Sequence, residues 1–103
     1  MTVKKIIVVL ASWEEASKYV RKAVTELAKE KGFEVEFKEE DYDFLDKYGV
    51  KNEYGGIDIP QVFIQNEKNE IKYVMSRVPL DDRGGPNIKE AKEIILRAMG
   101  ELN

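Results

Sequence analysis

The chain contains no cysteine and no histidine among its 103 residues. Without cysteine, disulfides and thiol redox catalysis by the chain itself are excluded in any compartment. Without histidine the usual general base near neutral pH is gone, and the two absences together leave carboxylates as the common metal-ligating side chains. Long hydrophobic runs are missing too. The longest, Ile6 to Ala11, is followed at once by Ser12-Trp13-Glu14-Glu15. Six residues are far too few for a membrane span, and few for a secretory leader despite Lys4-Lys5 ahead of them. There is also no basic block longer than Lys4-Lys5. The 17 basic and 20 acidic residues are interspersed, with a net charge of -3, which argues against a phosphate-neutralising surface. The expectation is a cytoplasmic protein, or one expressed recombinantly, with no nucleic-acid or membrane partner and no cofactor.

What is present is enough for one core. With 43% hydrophobic and 36% charged residues, the chain reads as a single domain over residues 1–103. Residues 3–11, apolar and mostly β-branched apart from Lys4-Lys5, show the pattern of a central strand covered on both faces. Ala16, Tyr19, Val20, Ala23, Val24, Leu27 and Ala28 then recur at helical spacing up to Gly32. Phe33, Val35 and Phe37 alternate with Glu34 and Glu36, predicting a half-buried strand parallel to the first. A short helix over 41–48 ends at Gly49, and an irregular loop with Gly55-Gly56 leads to Pro60. Residues 62–64 and 71–75 predict a hairpin across the polar link 65–70. Asn87 with Glu90 forms a capping box for a last helix whose stripe is Ile88, Ala91, Ile94, Ile95, Ala98, Met99 and Leu102. No internal repeat, low-complexity segment or linker stands out.

Two short stretches carry the chemistry question. Trp13-Glu14-Glu15-Ala16-Ser17-Lys18 opens the first helix, where Ser12 and Glu15 fit a capping box contributing on the order of 1 kcal/mol. Ile59-Pro60-Gln61-Val62-Phe63-Ile64 opens the third strand. In frame and order these resemble the WCGPCK motif and the cis-proline segment of the thioredoxin and glutaredoxin family, and the resemblance spans essentially the whole chain. It implies an α/β fold of the minimal β-α-β-α-β-β-α kind, with a four-stranded mixed sheet in order 2-1-3-4 and helices on both faces. It also implies a cis bond before Pro60. Glu14 and Ser17 stand at the two cysteine positions as vestiges of the redox motif, and Val8 replaces the buried acid of thioredoxins.

The resemblance further implies a groove for an extended peptide, carried over to Trp13, Ile59, Pro60 and Gln61, with Tyr54 nearby. The alternative for Trp13 is simple packing over the start of the first helix. An acid–base role for Glu14 and Glu15 is disfavoured, because a helix amino terminus lowers carboxyl pKa values. Residues 39–43 hold four carboxylates without calcium-loop spacing, so they read as a solvated helix start and no metal site is expected. Residues 81–87 read as a turn and cap.

Three functions follow for testing. The first is a redox-inactive domain without catalytic activity, a designed or re-engineered scaffold. The second is a natural non-catalytic module binding an extended peptide or protein, and the third is an enzyme working with carboxylates alone.

Overall fold

A computed structural model describes residues 3–102, and the side chain of Leu102 lies outside what it describes. The elements are β1 (Val3–Leu10), α1 (Glu15–Lys31), β2 (Glu34–Glu39), α2 (Tyr42–Tyr48), β3 (Gln61–Asn66), β4 (Ile71–Met75) and α3 (Ile88–Leu102). The sheet order is β2-β1-β3-β4. β2 runs parallel to β1, whereas β3 and β4 pair antiparallel. This is the thioredoxin-like α/β core expected from the sequence.

Because successive strand residues face opposite ways, β1 feeds two cores. Ile6, Val8 and Leu10 pack with Val20, Val24 and Leu27 of α1 and Ala91, Ile95 and Met99 of α3. Ile7, Val9 and Ala11 pack with Leu45 of α2 and with Ile59 and Phe63. Residues 6–11 are at most 2% exposed, as a strand covered on both faces requires. α1 ends at Gly32, whose φ of 78° lets its N–H reach the Ala28 carbonyl at 2.7 Å. Lys92 of α3 bridges to Glu26 and Glu30 of α1 at 2.9 and 3.2 Å, tying the two helices together across their solvent edge. The Asn87 cap is as expected: its Oδ1 accepts from the Glu90 N–H at 3.0 Å and its amide donates back to Glu90 at 3.3 Å.

One five-residue turn occurs three times, at residues 52–56, 66–70 and 81–85. Its first residue is Asn52, Asn66 or Asp81. In each copy that residue's N–H donates to the fifth carbonyl (2.9, 3.1 and 2.8 Å), and its carbonyl accepts from the fourth N–H at 3.0 Å. Its side-chain oxygen accepts from the third and fifth N–H groups at 2.9–3.0 Å. The fourth residue, Gly55, Asn69 or Gly84, has φ of 81°, 65° or 81°, the left-handed conformation these residue types adopt most readily. The geometry is an Asx-stabilised turn closed by a left-handed residue. The expectation of no repeat therefore holds for whole elements but not for turns, and the loop at Gly55-Gly56 is regular.

Candidate functional site

The start of α1 is reached through a turn in which the Glu14 N–H donates to the Ala11 carbonyl at 3.1 Å. Glu14 then caps the helix, its carboxylate accepting from the Ala16 N–H at 3.2 Å. This corrects the Ser12–Glu15 capping box. The Ser12 amide instead donates to Glu39 Oε1 at 2.7 Å, a contact from the end of β2 that draws Ser12 away from the helix entrance. Ser17 is buried, and its Oγ accepts from the Ala11 N–H at 3.1 Å. Both positions that hold cysteine in the resembling motif are thus structural: one caps the helix and the other satisfies the amide at the end of β1.

Trp13 remains 62% exposed. Its indole N–H donates to Glu40 Oε1 at 2.9 Å, and the Tyr42 hydroxyl reaches the same oxygen at 3.5 Å. The anchor of Trp13 is therefore the β2–α2 connection rather than the first turn of α1. Glu40 has φ of 47°, unusual for a residue with a long side chain. Its N–H is held by the Leu10 carbonyl at 2.8 Å.

The bond between Ile59 and Pro60 is cis. Ile59 and Pro60 are buried. Gln61 is fully buried as well, with its amide oxygen accepting from the Val50 N–H and its amide nitrogen donating to the Val50 and Asp58 carbonyls. Tyr54 is 88% exposed at the third position of the first turn. The five groove candidates thus divide into two exposed aromatics and three buried residues whose side chains belong to the core or to the loop ahead of β3.

Two clefts flank the start of α1. One, of about 510 Å³, is lined by residues including Ser12, Trp13, Glu14, Lys18, Arg21 and Glu39. The other, of about 600 Å³, lies between Glu14, Glu15, Ala16 and Tyr19 on one side and Arg77, Val78, Pro79, Leu80, Gly84 and Pro86 on the other. Neither is lined by Tyr54, Ile59, Pro60 or Gln61. The second cleft was missed from sequence. Its signal there is Val78-Pro79-Leu80, an apolar triplet within a polar connection, with Leu80 67% exposed.

Three of the four carboxylates in residues 39–43 hold structural hydrogen bonds. Glu39 holds the Ser12 amide, Glu40 holds Trp13, and Asp41 caps α2 by accepting from the Phe44 N–H at 3.0 Å. Elsewhere, hydrogen bonds from Lys5 and then Lys38 hold Glu36 below the ordinary carboxyl range. Lys92 does the same to Glu26, and Lys72 to Glu101. These ion pairs lie outside both clefts. Among the described residues, no helix is long and apolar enough to cross a membrane. No protein-family model matches the chain, and no curated protein matches it at a significant level.

Proposed function

We propose that the chain is a redox-inactive, thioredoxin-like domain with no catalytic activity of its own, a scaffold of designed or re-engineered origin. The observation that carries this reading is the use made of residues 14 and 17: Glu14 caps α1 and buried Ser17 accepts from the Ala11 amide. A serine hydroxyl committed to a buried backbone donor is not poised as a nucleophile, and no histidine exists to activate it. One hydrogen-bonded turn used three times supports the scaffold origin, since idealised chains reuse the turn chemistry that each connection needs.

A second reading, a non-catalytic binding module, is favoured by one feature. The cleft between the start of α1 and residues 77–86 exposes Leu80 beside Tyr19 and Pro79, the kind of apolar surface that seats a partner. Amide-resolved NMR titration with glutathione and a panel of extended peptides separates the readings. The scaffold predicts no saturable shifts. Saturable shifts clustered at Trp13, Ile59 and Gln61, or at Tyr19 and Leu80, would overturn it in favour of the module. A hydrolytic or transfer activity that falls in Glu14→Gln and Glu15→Gln would overturn both.

A further inference from the structure

The sheet has two outer strands, β2 and β4. β4 is interrupted by a register shift where it passes Val62 and Phe63, whereas β2 follows β1 without a break from Glu34 to Glu39. The Glu40 N–H donates to the Leu10 carbonyl at 2.8 Å. Since alternate residues of a strand direct their backbone groups to the same side, Glu34, Glu36 and Lys38 bond to β1, and Val35, Phe37 and Glu39 turn their N–H and C=O groups outward. Among the described residues, no turn or loop hydrogen bond reaches those outward groups. An edge of this kind is a template for another strand.

The side chains decide which strand fits. Phe37 is 38% exposed on the α1 side, where Arg21 lies over its ring at 4.5 Å. Glu36 and Lys38 project to the α2 side, joined to each other at 2.9 Å, with Lys38 over the Phe44 ring. Charges on an outer strand usually discourage pairing, but here opposite signs flank Phe37. We infer that β2 is a self-association edge, through which two copies of the chain join β2 to β2, antiparallel about a two-fold axis at Phe37, into one continuous sheet. In that register Phe37 faces Phe37, Glu36 faces the partner's Lys38, and Val35 faces the partner's Glu39. Each outward N–H and C=O of Val35, Phe37 and Glu39 then meets its counterpart, and the facing charges are of opposite sign. An axis at Val35 would instead set Glu34 against Glu36, and an axis at Glu39 would set two glutamates face to face. The cost is the approach of two Arg21 guanidinium groups, one over each Phe37, which makes the association weak and dependent on concentration. The inference goes beyond the scaffold and module readings and depends on neither.

The experiment is sedimentation equilibrium of the unmodified protein at concentrations up to about 1 mM, with amide exchange followed by NMR in dilute and concentrated samples. The expected result is a mass that rises from one chain toward two, with slower exchange at Val35, Phe37 and Glu39 in the concentrated sample. Glu36→Lys or Lys38→Glu alone sets like charges against each other on both sides of the axis and should weaken association by about tenfold. An equimolar mixture of the two variants restores opposite signs at every such position and should recover association as a heterodimer. A mass of one chain at all concentrations, a dimer in which those three amides exchange as in the single chain, or a mixture of folded variants that associates no better than either alone would overturn the inference. Should either variant prove unfolded by circular dichroism, mass and amide exchange in the unmodified protein decide alone.

Discussion

Besides the Gly32 cap of α1, left-handed residues among those described serve two contrasting purposes. In the three repeated turns the left-handed position holds Gly55, Asn69 and Gly84, residue types that reach it with little penalty. At the end of β2 the same region of backbone space is filled by Glu40, for which it costs roughly 1–2 kcal/mol. The turns therefore connect elements at low strain. The β2–α2 connection carries strain, and there a carboxylate meets the exposed Trp13. Strain in a chain otherwise built from low-cost turns marks that connection as the place where local backbone preference gives way to a side-chain contact.

The comparison breaks most sharply at Asn66, which is buried and whose side-chain oxygen accepts from the Lys68 and Glu70 amides. Asn66→Ala leaves those donors without that acceptor and should destabilise by about 2 kcal/mol in urea unfolding. A loss near zero would mean that the Asx bonds do not hold the turn. Gly84→Ala comes next. The position has open space for a methyl group, so the expected loss of about 1 kcal/mol isolates backbone strain.

Glu40→Gly should act in the opposite direction, stabilising by about 0.5 kcal/mol as relief of strain outweighs an exposed hydrogen bond. The anisotropy of Trp13 fluorescence should fall at the same time as the indole loses its acceptor. A net destabilisation would show that the carboxylate–indole contact outweighs the strain.

The smallest effect concerns pH. Glu36 has a lowered native pKa because of Lys5 first and Lys38 second. Its contribution is therefore present above the ordinary value of 4.5 and lost as pH falls through the lower native value. Glu36→Gln should be less stable than the parent at neutral pH, with the difference closing below about pH 4.5. A difference that persists unchanged into acid would assign the effect to packing instead.

The order of elements was legible because each has a local cause: the apolar run of β1, the 3.6-residue stripe of α1, the alternation in β2, and the stop at Gly32. The α3 cap was equally local, since Asn87 and Glu90 lie three residues apart. The α1 cap was misread because its determinant is distant: Glu39, 27 residues from Ser12 along the chain, takes the amide that a local capping box would use. The exposed anchor of Trp13 was hidden for the same reason, since Glu40 is also 27 residues away.

The repeated turn was visible in principle, as Asn or Asp, then an acid, any residue, and Gly or Asn. The residue types differ enough between copies that the shared hydrogen bonds reveal the pattern before the letters do. Gln61 illustrates the converse. Sequence placed it in a groove beside Pro60, but the loop ahead of β3 needs its amide for Val50 and Asp58.

The most direct test of the account is the double variant Glu14→Cys with Ser17→Cys, examined by thiol titration and mass after mild oxidation. Residues 14 and 17 fall one turn apart at the start of α1, the first as its N-cap and the second buried in its first turn. The proposed reading of these positions as those of a former dithiol predicts a folded protein that forms one intramolecular disulfide, with the present side chains serving the cap and the Ala11 amide. A folded protein that retains two free thiols under oxidation would contradict it.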